Sequence, residues 1–163
     1  MSETNFYEIR RQDRILDKAR AIELLQTAEY GFLSLGESRN GYAYGIPISF
    51  AYSETDHALY FHCAPEGHKL DNLKRNNKVA FCVVGNTKLL SEKLSTLYES
   101  VIVFGHAEIA QTDKDKRFAL RKLVEKYSPE YMEAGEKYME SALNRTLTFK
   151  ITIDHITAKT RKN

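Results

Sequence analysis

Bulky and small residues alternate strictly over residues 42–52. Tyr42, Tyr44, Ile46, Ile48, Phe50 and Tyr52 take the even positions; Ala43, Gly45, Pro47, Ser49 and Ala51 take the odd ones. Successive side chains of a strand point to opposite faces, so the pattern predicts a strand with one core face and one face cut back nearly to backbone. Period-two stretches also predict strands over residues 30–35, 58–62, 78–84, 98–110 and 146–156. In the last of these, Leu147, Phe149, Ile151 and Ile153 alternate with Thr146, Thr148, Lys150 and Thr152. Elsewhere the period is helical. Asp17 caps a predicted helix to about Ala28, with Ile22 and Leu25 facing inward and Glu23 outward. A short helix is expected over residues 68–76. Leu120, Leu123, Val124 and Tyr127 stand at i, i+3, i+4 and i+7 of a third, and Ser128-Pro129 breaks the chain before a fourth to about Leu143. Six strands with a few helices imply a small antiparallel β-barrel with helical additions. No repeat or low-complexity linker divides the chain, so residues 1–163 read as one domain with a helical insertion over about 112–143.

Composition narrows the function classes. The 163 residues are 42% hydrophobic, with eight Phe and ten Tyr to fill a core, enough to fold without metal or disulfide staples. Twenty-four Lys and Arg against 22 Asp and Glu leave a formal charge of +2, which gives no electrostatic reason to expect nucleic acid. The basic runs Lys114-Asp115-Lys116-Arg117 and Arg161-Lys162 read as a solvated helix face and tail, with no aromatic platform beside them. No apolar run approaches the roughly 18–20 residues of a membrane span. The first residues lack the pattern of a secretory signal, and two cysteines make no disulfide framework, so a reduced, cytoplasmic protein is expected.

Two segments carry candidate chemistry. In His62-Cys63-Ala64-Pro65-Glu66-Gly67-His68-Lys69 a strand ends and a helix begins, and Gly67 permits a tight turn. Unsatisfied N–H groups at a helix start favour an anion, above all a phosphate, and His68 and Lys69 add donors and charge there. The plain alternative is a solvated helix start with ordinary basic residues. The small face of Gly45, Pro47, Ser49 and Ala51 leaves room for a flat ligand against the backbone, and Pro47 interrupts the ladder. Its plain alternative is close packing against a helix or another chain. Together the two features suit a flat ring bearing a phosphate tail. His57, His62, Cys63 and His68 fit no zinc spacing, and no metal site is expected. Cys63 has no marked oxyanion hole to make it a nucleophile, and Cys82, between Phe81 and Val83, reads as a core residue.

Three blocks resemble the flavin-binding split barrels of the pyridoxamine 5′-phosphate oxidase-like superfamily, in the branch of the 5-nitroimidazole-resistance proteins. They are residues 45–52 (GIPISFAY), residues 59–73 (LYFHCAPEGHKLDNL) and residues 98–105 (YESVIVFG). The resemblance implies a six-stranded antiparallel split barrel that works as a homodimer with two flavin sites at the subunit interface. It places Ile46, Pro47, Ile48, Ser49 and Phe50 along the isoalloxazine, His62 and Cys63 beside ring and ribityl chain, and His68 and Lys69 on the FMN phosphate. Glu99 and Ser100 fall where the next strand reaches the flavin. His68 stands where Arg is common, so the bidentate Arg fork is missing. The C-terminal signature of the vitamin B6 oxidases is not visible.

The expectation is therefore an FMN-dependent oxidoreductase, with FAD as an allowed substitute, passing electrons from NAD(P)H or another donor to a small flat acceptor such as a nitroimidazole or quinone. His62 is the residue expected to have a chemical role. The alternative is a non-catalytic flavin or haem carrier or sensor, with His62, His68 or His106 as axial ligand. The expected dimer would bury the Gly45/Pro47/Ser49 face together with Val101, Val103 and Gly105.

Overall fold

The structure, a computed structural model, describes residues 6–162. Seven antiparallel strands form one sheet: β1 (Gly31–Glu37), β2 (Ala43–Ile48), β3 (Ala51–Ser53), β4 (Ala58–Cys63), β5 (Lys78–Leu90), β6 (Ser95–Ile109) and β7 (Leu147–Arg161). Their order is β2-β1-β5-β6-β7-β4-β3. The two edges, β2 and β3, are consecutive in the chain and separated only by Ser49 and Phe50. The sheet must therefore roll until its edges nearly meet, which makes a barrel with one unpaired seam. The core lies inside the roll, where Phe50, Phe61, Phe81, Phe149, Leu33, Val101, Val103 and Ile151 are at most 1% exposed. Helix α1 (Lys18–Thr27) covers one end, capped by Asp17 through the N–H groups of Ala19 and Arg20, and it buries Ala21, Leu24 and Leu25. Ile22 is only half-buried. Helix α2 (His68–Arg75) follows β4; α3 (Asp113–Tyr127) and α4 (Met132–Ala142) lie between β6 and β7. No helix among the described residues is long and apolar enough to cross a membrane.

The strand predicted over residues 42–52 is two strands, which raises the count from the six expected to seven. The break comes from α3. The Tyr127 hydroxyl accepts the Phe50 N–H at 2.9 Å and lies in donating reach of the carbonyls of Phe50 and Glu29. Backbone groups that a ladder would have used are thus satisfied by one side chain at the seam. Lys126 supports it, donating to the Ala28 carbonyl at 2.7 Å with its ammonium 3.8 Å from the centre of the Phe50 ring. Tyr127→Phe strands the buried Phe50 N–H, so we expect it to lower the unfolding free energy by about 1–3 kcal/mol. Urea unfolding checks this, and an unchanged midpoint would mean the seam is held by other contacts. Burial pushes the Lys126 ammonium from its ordinary 10.5 down to about 8. The unfolded chain then holds a proton between those values that the folded chain has released. The cost of burying the charge is thus present in full below pH 8 and fades as pH rises toward 10.5. The stability of the wild type relative to Lys126→Met should accordingly rise from pH 7.5 to 10; a flat difference would refute it.

Strand parity also moves several residues. Cys82 alternates out of step with the buried Phe81 and Val83 and lies half-exposed on the outer face, not in the core. Val101 and Val103 are fully buried inside the barrel and cannot line an interface, and Gly105 has no room for a Cβ against the Thr152 carbonyl. The outward residues of β6 are instead Ser100, Ile102 and Phe104. Strands β5 and β6 run past the barrel as a hairpin arm, paired from Thr87–Tyr98 to Leu90–Ser95. Its residues are too polar to alternate clearly, so the pattern ends β5 at Val84.

Candidate functional site

Helix α2 begins at Gly67, whose φ of +123° is open only to glycine, and no side chain caps the helix there. A Cβ added at Gly67 would meet nothing within 4 Å, so the space before the helix start is open. Lys69 stands in the first turn, close enough that its charge bears on both His62 and Cys63 at the end of β4. Those two point to opposite faces, as neighbours on a strand must. His62 is exposed; Cys63 packs against the core. Desolvation, and after it the Lys69 charge, pushes the His62 imidazole below 6.5, so it is neutral at pH 7 and offers one donor and one acceptor. Burial pushes the Cys63 thiol up against the opposing pull of Lys69, which keeps it protonated and a poor nucleophile.

His68 is more committed than its sequence position suggests. Its Nε2 lies 2.8 Å from Ser38 Oγ, and its ring stacks on Tyr44 of β2 with centroids 3.8 Å apart. Asn72 donates to Ser38 Oγ at 3.1 Å and to the Gly36 carbonyl at 3.2 Å. This cluster locks α2 to the turn after β1, and only Nδ1 of His68 remains for a ligand. Ser38, Tyr44 and Asn72 were not legible as site residues; nothing local marks a serine in a turn as the partner of a histidine thirty residues later.

Of the four residues expected to leave room for a flat ligand, Gly45, Pro47, Ser49 and Ala51, two are open. Pro47 and Ser49 are exposed at the β2 edge. Gly45 is already covered by the Phe32 ring, which a Cβ would strike, and Ala51 is 3% exposed beneath α3 in a cluster with Tyr60 and Leu123. Ile46 and Ile48 turn inward against the core, and Phe50 is fully buried with its N–H and carbonyl both on Tyr127. These three can offer a ligand backbone at most. Glu99 and Ser100 again take opposite faces. Arg20 of α1 grips the Glu99 carboxylate at 2.7–3.2 Å and holds it below the usual carboxylate range. Ser100 faces outward.

Residues 17–160 match the family described as pyridoxamine 5′-phosphate oxidase. The chain belongs to this family. Comparison with curated proteins finds no match. Among solved structures, a Bacteroides thetaiotaomicron protein provisionally assigned to 5-nitroimidazole antibiotic resistance is 28% identical, with a TM-score of 0.76 over 90% of this chain and 86% of that one. An FAD- and haem-binding protein of Mycobacterium smegmatis is 22% identical, with a TM-score of 0.78 over 93% of this chain and 75% of that one. The flavocytochrome Anf3 of Azotobacter vinelandii is 19% identical, with a TM-score of 0.76 over 90% and 68%. The last two share the fold.

An uncapped helix start, open space before it and a lysine in its first turn suit an anion. The exposed Pro47–Ser49 edge and His62 suit a ring beside it. Ser100 does not join them within one chain. Pro47, Phe32, Cys82 and Ile102 lie in one row across β2, β1, β5 and β6, and Ser100 stands one outward step along β6. Three strand spacings of about 4.8 Å put β6 roughly 14 Å from β2. Among the described residues no three His, Cys, Asp or Glu side chains gather to hold a metal. A 580 Å³ apolar cavity under α1, lined by Ile15, Ile22, Leu25, Tyr52 and Ile156, contains none of these candidate residues.

Proposed function

We propose that the protein is an FMN-dependent oxidoreductase of the nitroimidazole-resistance type, passing electrons from NAD(P)H or another donor to small flat acceptors such as nitroimidazoles or quinones. The observation that carries the reading is the uncapped start of α2, with Lys69 beside His62 and open space in front. The Bacteroides protein, at 28% identity, supports the acceptor class. When bound, the flavin would supply the electron transfer. Lys69 and Nδ1 of His68 would bind its phosphate, the Pro47–Ser49 edge would flank its ring, and neutral His62 would hydrogen-bond ring or acceptor. FAD would place its extra phosphate at the same helix start.

A second chain completes this site. The outer face of Phe32, Cys82, Val84, Ile102 and Phe104 is apolar and partly or largely exposed, which suits a two-fold partner. Since Ser100 is roughly 14 Å from the β2 edge, it would reach a ring held there only from the other subunit.

The haem-carrier reading keeps one supporting feature. His106 Nδ1 lies 3.2 Å from the Asp154 carboxylate, which leaves Nε2 directed elsewhere, the usual arrangement of a ligating histidine. The visible spectrum of the purified protein, followed by turnover with NADH and NADPH against nitroimidazoles and quinones, separates the readings. Flavin absorbance with acceptor-dependent oxidation of the reduced nucleotide supports the oxidoreductase. A Soret band without turnover overturns it.

A further inference from the structure

Strand β7 is paired along all of one side by β6 but only in part along the other. On that second side β4 accompanies it as far as Ile153, whose N–H donates to the His57 carbonyl at 3.1 Å. Pairing resumes at Ala158, whose carbonyl accepts the Leu16 N–H at 3.0 Å. Between these two bonds, residues 154–157 face no strand. In an antiparallel ladder the N–H and C=O of one residue point to the same side, and those of the next residue to the other. Ala158 turns away from β6 toward Leu16, so Ile156, two residues earlier, turns both of its backbone groups into the gap. Neither has a hydrogen-bond partner among the described residues.

The gap opens on the 580 Å³ cavity under α1, and residues 155–158 all line it, as a strand edge seen side-on would. Ile22 and Leu25 of α1 form its apolar roof, with Ile15 at one end and Tyr52 of β3 at the other. Tyr52 is half-buried; burial, and after it the Glu54 charge, pushes its phenol up, so the hydroxyl stays a donor. An unpaired N–H and C=O facing apolar walls cost free energy until something pairs with them. A further length of chain has little room to do so, because His57 and Leu16 close the slot at four residues, about 13 Å. The volume instead falls in the range of small-molecule sites, roughly 300–1,000 Å³. The cavity is also remote from the start of α2: His57 and Cys63, at opposite ends of β4, are about 20 Å apart along the strand.

We propose that this cavity is a second ligand site, which takes a compact planar lactam or imide: the ligand N–H donates to the Ile156 carbonyl, its C=O accepts the Ile156 N–H, and its apolar body lies under Ile22 and Leu25 beside Tyr52. The ligand thereby fills the place of the missing strand residue. A ring holds its amide cis, which sets donor and acceptor side by side on one edge, the complement of what one strand residue presents. An open-chain amide is trans and turns the two groups in opposite directions, so it could satisfy only one of them.

The test titrates the protein, with and without FMN, with 2-quinolinone, N-methyl-2-quinolinone and a blocked Val-Thr-Val-Thr peptide, following backbone amide shifts and calorimetry. Expected is saturable binding of 2-quinolinone, unchanged by FMN, with amide shifts clustered at residues 16, 22–25 and 154–158. The N-methyl compound lacks the donor and should bind at least tenfold more weakly. Ile22→Trp, which puts a larger side chain into the roof, should weaken 2-quinolinone at least tenfold. Comparing the two quinolinones needs only the wild-type chain, so the test survives a failure of Ile22→Trp to fold. Absence of 2-quinolinone binding overturns the proposal. So does equal affinity for the N-methyl compound, which would mark an apolar pocket that does not read the strand edge. Displacement by FMN, with shifts at residues 46–50 and 67–69, would overturn it by placing the ligand in the flavin site. Preference for the peptide would overturn it by making the gap a site of strand addition. The titration without FMN keeps the result independent of whether the flavin reading holds.

Discussion

Lys69→Ala is expected to bind FMN about 10- to 150-fold more weakly than wild type while binding riboflavin unchanged. A hydrogen bond to a charged group contributes ~1.5–3 kcal/mol, and riboflavin differs from FMN only in lacking the phosphate that Lys69 would read. The fold should survive, because Lys69 lies at a helix start, its neighbour Leu70 supplies the buried contact, and the Ser38–His68–Asn72 cluster anchors α2 without it. The same substitution removes a positive charge that depresses His62, so the His62 titration should move upward. NMR of the imidazole reads this second outcome without any cofactor present. Equal loss of affinity for FMN and riboflavin would show that Lys69 supports the site without touching the phosphate.

Ile102→Glu is expected to convert the proposed dimer to single chains. Ile102 sits mid-row on the outer face between Cys82 and Thr157, so in the proposed dimer a carboxylate from each chain would have to be buried in the apolar contact without a partner. An obligate interface of more than ~2,000 Å² would not tolerate that. Sedimentation velocity should give one species near the chain mass of 18.8 kDa, with unchanged circular dichroism because the Glu replaces an outward residue. If Ser100 meets the flavin only across the interface, the variant should also lose flavin affinity, and FMN should oppose dissociation of the wild type on dilution. A variant that still sediments at twice the chain mass would place the contact on another face.

Much of the candidate site's local geometry was legible because its signals are local. Gly67 with Lys69 two residues on, a strand end at His62, and the exposed Pro47 and Ser49 need only the chain's own order to be read. Local pattern also assigned the Asp17 cap, the inward face of β7 and the helix break at Pro129. Where the reading failed, the deciding contact came from far along the sequence. The small face at Gly45 was filled by Phe32 from the next strand, and Ala51 was covered by α3. Glu99 was claimed by Arg20, and His68 by Ser38.

The alternation over residues 42–52 and the helix start at Gly67 were determined by the sequence itself, since backbone periodicity and glycine's tolerance of positive φ act within a few residues. Tertiary structure alone decided that the first stretch breaks at Ser49-Phe50. There the Tyr127 hydroxyl, seventy-seven residues away, satisfies the Phe50 backbone groups that a continuous ladder would have used. It likewise decided which parity of β6 faces out, because the fold, and not the pattern Val101-Ile102-Val103-Phe104, in which every residue is apolar, sets which side of the strand meets the core. The fate of Arg161 and Lys162 was decided the same way, by a strand pairing that carries β7 alongside β6 to the foot of the arm.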